Sequence, residues 1–460
     1  MLFQGKGMSS GDHGIFNPED AYSEVERQSR PPRNLEWMPN SKQCIELTIP
    51  PTVYPPKEDT DLMAERLIRL GTGKGRKFLE IGCGSGALSI LASSLGWNVH
   101  ACDINPFAVA ATRGNMAKNL QTGVIKEGGI GPDEFPFKDK FDLIIWNLPY
   151  IPGEEVSELL GPMEEAGLID TDEKGLQTRL TSLVVRNNLL ATNGIILLLG
   201  RTGSVEATEN FAVRIWDTLK FDDGESLTIF CLWKPWESAE KIFLQSTGST
   251  NDDLFHKSGV GTHISTPLQT SGKGRRGRRW DSIEKSYAGS WIVAEDTEVN
   301  PGLLQLSGGL AVIKSIQSDR LQLKWPNDIL IDDRKLCGVL VEGKSSQDKT
   351  KVVLGIGINL QSSHKIIDGK EISTLDEIRK MDYHQLDKKL NSELASLIEK
   401  RNNIPLVNFR SVKEEILSHM KLLGKPKYRG VIYDNFELNN RGELVLGDNI
   451  VDEGEDVSWV

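Results

Sequence analysis

The 460-residue sequence has no apolar run of membrane-spanning length and no secretory leader, so it reads as a cytoplasmic protein without membrane segments. Its five cysteines, Cys44, Cys83, Cys102, Cys231 and Cys337, show no paired spacing, which suits reduced thiols and gives no zinc site. The seven histidines likewise lack ligand spacing. Positive charge is in deficit: 54 Lys and Arg against 65 Asp and Glu leave a net charge of −11. Affinity for nucleic acid or anionic lipid comes mostly from neutralised phosphates, so the charge balance argues against a general binder of either. No internal repeat is evident. The length allows two to four domains, each able to bury its own core.

Against that acidic background one stretch stands out, Gln269-Thr-Ser-Gly-Lys-Gly-Arg-Arg-Gly-Arg-Arg-Trp280. Lys273, Arg275, Arg276, Arg278 and Arg279 sit on a backbone loosened by Gly272, Gly274 and Gly277, which is expected to be a loop and neither helix nor strand. Glycines let main-chain N–H groups approach an anion, and arginines offer forked donors matched to phosphate and carboxylate oxygens. A localisation tag or a solvated face has the same composition; the order of the motifs around the stretch distinguishes them.

Residues 1–40 read as a polar tail that includes a tag remnant, Leu2-Phe-Gln-Gly5. Val53-Tyr-Pro-Pro-Lys-Glu-Asp-Thr60 then leads into a helix over 61–70. Lys77-Phe-Leu-Glu-Ile-Gly-Cys-Gly-Ser-Gly-Ala87 is an apolar strand running into a glycine turn, followed by a helix from about Leu88. Such a turn brings N–H groups close to a nucleotide at the carboxyl edge of a parallel sheet. The next strand, 98–103, ends on Asp103, where a carboxylate accepts from ribose hydroxyls. A further strand, 141–146, runs into Asn147-Leu-Pro-Tyr150. Strands over 194–199 and 226–233, with a helix over 176–190, complete an alternation that predicts a doubly wound α/β sheet. The glycine spacing alone also fits a dinucleotide enzyme. The Asn-x-Pro-Tyr tetrad has different chemistry: an amide oxygen and a carbonyl accept the two protons of a planar –NH2 group, and an aromatic face stacks on it.

Together these motifs resemble the class I S-adenosylmethionine-dependent methyltransferases acting on amide or amino nitrogens, and within them the release-factor glutamine methyltransferases. The resemblance covers roughly residues 45–235. It implies that Thr60, Glu80, Gly82, Gly84, Gly86, Asp103 and Asn147 bind S-adenosylmethionine. It also implies that Asn147 and Tyr150 act on the substrate amide, with a release factor and a small zinc-ribbon activator protein as partners. Leu148 departs from the family's proline. Its carbonyl remains available, and Pro149 keeps it extended.

Lys234-Pro-Trp-Glu-Ser-Ala-Glu-Lys241 reads as the boundary. Beyond it, Ser249-Thr-Asn251, the basic stretch, Lys324-Trp-Pro-Asn-Asp328, Lys335-Leu-Cys-Gly338 and Gly355-Ile-Gly-Ile-Asn359 occur in that order, with strands near 289–294, 335–342 and 352–360 and a helix over 303–316. The hydroxyls and amides of the first motif suit a polar ring, and equally a helix cap. The set is similar to the biotin protein ligases over about residues 241–400, with Lys273 where arginine is usual. The resemblance implies that Ser249, Thr250, Asn251 and Gln269 meet biotin. Gly272, Lys273, Gly274, Arg275, Arg276, Gly277, Arg278 and Trp280 would enclose the adenylate. Lys324, Trp325, Asn327, Asp328, Gly338 and Gly357 would line the ATP site, with Mg near Asn327 and Asp328. Lys335 and Arg275 would be catalytic, and a biotin carboxyl carrier protein domain the acceptor. No helix-turn-helix precedes this half, so a repressor form is not implied.

The expected architecture is a Rossmann-like methyltransferase domain over 41–236, an α+β ligase domain over 237–410 and a small β-barrel over 411–460. Three functional readings follow. The chain is a bifunctional biotin ligase and protein methyltransferase; or a biotin ligase with a catalytically degenerate methyltransferase-like module; or its first half methylates amino groups of nucleic acid, against which the acidic charge weighs.

Overall fold

The computed structural model describes residues 30–131, 135–149, 151–152, 169–170, 175–222, 224–295, 299–346, 349–364, 366–367, 369–451 and 453–460. The chain divides into two units, one of residues 1–204 with 217–230 and the other of 205–216 with 231–460. The second unit thus includes 205–216 and 231–236, residues that lie inside the first expected domain. None of the described helices is long and apolar enough to cross a membrane.

The first unit opens with a hairpin of β1 (Arg33–Asn40) and β2 (Gln43–Ile49), paired antiparallel from Arg33↔Ile49 to Asn40↔Gln43. This corrects the tail expected through residue 40. Trp37 is buried and donates its indole N–H to Asp61 at 2.7 Å, an anchor that a polar composition conceals. The other edge of β2 is held by α3 (below): the Asn115 amide exchanges two hydrogen bonds with the Thr48 backbone, at 2.8 and 3.1 Å, and Asn119 repeats this with Glu46 one turn on.

Helix α1 spans Glu58–Leu70, with Glu58, Asp59 and Asp61 in its first turn, where the helix dipole favours carboxylates. Strands β3 (Lys77–Ile81), β4 (Asn98–Asp103), β5 (Gly123–Glu127) and β6 (Phe141–Asn147) alternate with α2 (Ala87–Ser94) and α3 (Pro106–Lys118). Helix α4 (Leu176–Arg186) ends four residues before the helix expected from sequence, and β7 (Leu190–Arg201) starts where that helix was to finish. With β8 (Ala212–Lys220) and β9 (Ser226–Trp233) the sheet order is β8-β9-β7-β6-β3-β4-β5. The β3–β4, β4–β5, β3–β6 and β6–β7 pairs are parallel. Phe78, Leu79, Leu143, Ile144, Leu197 and Leu198 are fully or almost fully buried, as expected for strands covered on both faces. β3 has successive strands on either side, β4 and β6, so the crevice at its carboxyl end is where such sheets bind ligands.

The second unit is built on another seven-stranded sheet. Its strands are β10 (Lys241–Phe243), β11 (His263–Thr266), β12 (Lys285–Glu295), β13 (Leu321–Lys324), β14 (Asp328–Ile331), β15 (Arg334–Ser346) and β16 (Lys349–Gln361). They lie in the order β10-β11-β12-β16-β15-β14-β13; only β10–β11 is parallel. Helix α6 (Pro301–Ile316) packs on the sheet, started by Asn300 accepting from Leu303 N at 3.2 Å and by Pro301 at its first position. Gly308 allows the approach, since a Cβ there would lie 2.8 Å from Val339. The short α5 (Thr250–Phe255) contributes Leu254 to a cluster with Ile264, Ile292 and Val353. Helices α7 (Tyr383–Ile398) and α8 (Phe409–Lys421) follow.

In the last fifty residues the described strands form two small sheets. β17 (Pro426–Tyr428), β18 (Val431–Ile432) and β22 (Val457–Trp459) form one three-stranded sheet, and β19 (Glu437–Leu438), β20 (Leu444–Leu446) and β21 (Asn449–Val451) another.

Candidate functional sites

In the second unit the basic stretch is more ordered than a loop: Gly272–Lys273 pairs antiparallel with Arg279–Trp280, and Gly274 N donates to Arg278 O at 2.8 Å. Gly272 permits this, because a Cβ would lie 2.6 Å from the Trp280 carbonyl. The tip, Arg275–Gly277, turns through positive φ at Arg276 (58°) and Gly277 (73°).

This hairpin covers a cleft of about 360 Å3. Ser249, Thr250, Asn251, Gln269, Lys273, Gly274, Arg275, Arg276, Arg278, Trp280, Lys324, Trp325, Asn327, Asp328, Lys335, Gly338 and Gly357 all line it. Gly272 and Gly277, the remaining members of the expected set, shape the hairpin and do not line the cleft.

One end of the cleft is polar and uncharged. Gln269 Oε1 accepts from Thr250 N (2.8 Å) and Thr250 Oγ1 (3.1 Å), Thr250 Oγ1 meets Ser290 Oγ at 2.6 Å, and Ser290 Oγ donates to Asn251 Oδ1 at 2.6 Å. Asn251 Nδ2 then donates to Glu342 at 2.6 Å. Ser249 precedes α5 without making a side-chain cap, so helix capping does not explain its hydroxyl. Ser290 and Glu342 extend this network and carried no signal in the sequence. Gly355 makes room for it, since a Cβ would sit 2.4 Å from Asn251 Oδ1.

The other end is charged. Lys335 Nζ lies 2.7 Å from Asp328 Oδ1 and 5.5 Å from the centre of the Trp280 ring, whose buried indole N–H has no partner among the described residues. Trp280 packs against β15 and β16, where a Cβ on Gly357 would lie 2.7 Å away and one on Gly338 3.1 Å away. Asn327 Nδ2 donates to Val339 O at 3.2 Å, and the Trp325 indole to Gly442 O at 2.9 Å. Most cations of the hairpin are already matched. Lys273 pairs with Asp252 at 2.6 Å, holding that carboxyl below its usual range, and Arg279 pairs with Asp281 at 2.8 Å. Arg276 and Arg278 pair with Glu453 and Glu455. Arg275 has no ion pair among the described residues; burial, then neighbouring Arg276, depresses its guanidinium pKa.

In the first unit, Gly82, Gly84 and Gly86 all have positive φ, at 70°, 52° and 81°, a conformation strained for residues with a Cβ. Asp103 accepts from Gly84 N (2.9 Å) and Asn105 N (2.9 Å). Burial raises its pKa and these backbone bonds oppose the shift. Glu80 is 5% exposed, accepts the Ser89 hydroxyl from α2, and burial lifts its pKa to about 8.

Asp59, to which the sequence assigned no role, lies at the centre of the site. It is 2% exposed; its Oδ2 accepts from Asn147 Nδ2 (2.6 Å) and the Tyr54 hydroxyl (3.3 Å), and its Oδ1 from Thr60 N (2.6 Å) and Thr60 Oγ1 (3.1 Å). A carboxylate only accepts, so it fixes the Asn147 amide with nitrogen toward itself. Among the described residues Asn147 Oδ1 is left as a buried acceptor without a partner. Leu148 N donates to Leu199 O at 2.9 Å, a bond proline could not make, which ties this turn to β7. Tyr150 lies outside the described residues. Among the described residues no group of three or more His, Cys, Asp or Glu is arranged to hold a metal.

The biotin/lipoate A/B protein ligase family model matches residues 243–359, and the ribosomal protein L11 methyltransferase model matches residues 60–150. Over 220 residues the chain is 31% identical to the biotin–[acetyl-CoA-carboxylase] ligase of Mycobacterium tuberculosis, covering 44% of this chain and 80% of that protein. Over 198 residues it is 28% identical to a protein of Methanocaldococcus jannaschii named for N5-glutamine methyltransferase activity, covering 41% of this chain and 96% of that one. Among solved structures, biotin protein ligase from Aquifex aeolicus in complex with biotin and ATP is 27% identical, with 48% of this chain and 98% of that chain covered and a TM-score of 0.39.

Proposed function

The chain belongs to the biotin protein ligases in its second unit and carries a methyltransferase domain in its first; we propose that it performs two group transfers onto protein nitrogen. The second unit joins biotin to AMP and passes biotin to a lysine of a biotin carboxyl carrier domain. The first methylates a protein glutamine, with a release factor as acceptor.

In the ligase reaction a biotin carboxylate oxygen bonds the α-phosphorus of ATP, the bond to the β-phosphate breaks, and pyrophosphate leaves. Both reactants are anionic, so fixed cations must remove their repulsion before bonding distance is reached. Lys335, held beside Asp328, and Arg275, which has no ion pair among the described residues, fill this role. The Gln269–Thr250–Ser290–Asn251 network receives the uncharged biotin ring. Trp280 and the hairpin shield the acyl adenylate from water until the carrier lysine attacks its acyl carbon and AMP leaves. Magnesium arriving with a triphosphate needs only one or two protein oxygens, which Asp328 and Asn327 would supply.

In the first unit, S-adenosylmethionine supplies an electrophilic methyl group. Asp103 and the glycine turn would hold it, while Asn147 Oδ1 and the Leu148 carbonyl accept the two N–H bonds of the glutamine amide and aim its nitrogen. The buried Asn147 Oδ1, without a partner among the described residues, supports this reading over a degenerate module, because such an acceptor is costly unless a ligand fills it.

The observation that carries the proposal is that side chains from all the ligase motifs, separated by up to a hundred residues, line one cleft. The test is a pair of assays on one preparation: biotin transfer to a carrier domain, and labelled methyl transfer to a release factor with and without a zinc-ribbon partner. Biotin transfer without any methyl transfer leaves the ligase half alone standing, and label entering RNA makes the first unit a nucleic-acid methylase.

A further inference from the structure

The acidic turn Glu453-Gly-Glu455 enters the same cleft as the basic hairpin, nearly two hundred residues away in sequence. Arg276 is bracketed by Glu453 and Glu455, the latter at 3.0 Å, and Arg278 pairs with Glu455. The turn is fixed from behind. Gly454 abuts the 324–328 segment so closely that a Cβ would lie 2.5 Å from Pro326 Cδ, and β22 starts directly after the turn. On the hairpin side the Arg278 side chain is 62% exposed.

From this we infer that Glu453 and Glu455 are positioning residues of the ligase reaction. They hold the hairpin's arginines in the absence of nucleotide and are exchanged for phosphate oxygens when ATP enters. The carboxylates occupy the guanidinium donors that a phosphate would use, and their charge opposes an incoming triphosphate, so the two anions compete for Arg276 and Arg278. Arg275, not so engaged, is left for the first encounter with nucleotide. The inference rests on the ligase reading for its second consequence and on geometry alone for its first.

The first consequence is read by limited trypsin digestion of the full chain without ligand. Exposed ion pairs are individually weak, so E453Q/E455Q is expected to raise cleavage after Arg276 and Arg278 by about two- to tenfold. Raising salt from about 0.05 to about 0.5 M should speed cleavage of the parent but not of the variant. Equal rates for parent and variant at low salt would overturn the inference. The second consequence is that the variant has a lower KM for ATP in biotinyl-adenylate formation at unchanged kcat; an equal or higher KM would overturn the competition. A parent protein that forms no adenylate would refute the ligase reading, while the digestion still decides whether the turn holds the hairpin.

Discussion

Asp59→Asn isolates the geometry of the methyltransferase site. Both carboxylate oxygens of Asp59 accept: Oδ1 from Thr60 N and Oγ1, Oδ2 from Asn147 Nδ2 and the Tyr54 hydroxyl. An asparagine has one acceptor and must turn its –NH2 toward one of these donor sets. If it faces Thr60, a buried N–H loses its partner; if it faces Asn147, that amide rotates and the substrate-facing atom becomes a donor. Either way a hydrogen bond to a charged group is lost, about 1.5–3 kcal/mol. If that loss is felt in aiming the substrate, methyl transfer falls about 10- to 100-fold. Thr60 and Asn147, both bonded to Asp59, are also expected to meet S-adenosylmethionine, so part of the loss is expected in cofactor affinity, while the Gly82–Gly86 turn and Asp103, which make no hydrogen bond to Asp59 among those described, retain the rest. The assay is single-turnover transfer of labelled methyl to a release factor, with cofactor affinity from calorimetry. The reasoning is refuted if Asp59→Asn methylates like the parent, or if its whole deficit lies in cofactor affinity.

Gly357→Ala drives a methyl group into Trp280, where its Cβ would lie 2.7 Å from the ring, and should cost about 1–3 kcal/mol in urea denaturation together with most adenylate formation. A variant of parental stability and activity would show that the tryptophan is not held against β16. Glu80 gives a pH signature: burial raises its folded pKa to about 8 from an ordinary 4.5, so its contribution to stability is full below about pH 4.5 and is lost as pH rises to 8. Glu80→Gln keeps a partner for Ser89 and cannot ionise. It should flatten the stability profile between those pH values by up to about 1.4 kcal/mol per pH unit, and parallel profiles for the two proteins would contradict the assignment.

The sequence showed the alternation of apolar strands and helices in the first unit because parallel strands buried on both faces leave uninterrupted hydrophobic runs, as in β6 and β7. It also showed the ligase cleft, because that cleft is assembled from contiguous motifs whose glycines have steric work to do, such as Gly355 beside Asn251 and Gly357 beside Trp280. What it concealed are long-range partnerships. Nothing near Arg276 announces Glu453, and nothing in the tetrad at 147–150 announces Asp59, 88 residues earlier. At Glu80, burial and the bond to Ser89 were likewise hidden in the sequence. The hairpin of β1 and β2 was hidden for a similar reason, since one buried face anchored by Trp37 cannot be read from a mainly polar composition.

The account depends most on cations gathered to let a carboxylate reach a phosphate. Its most direct test is formation of biotinyl adenylate from biotin and ATP by the purified chain, beside Lys335→Ala whose fold is checked by its unfolding midpoint. The parent is expected to form the adenylate and release pyrophosphate, and the variant to do so at least about 100-fold more slowly, as when an electrostatic stabiliser is removed. Biotin and ATP left unreacted by the parent, or a variant as fast as the parent, would contradict it.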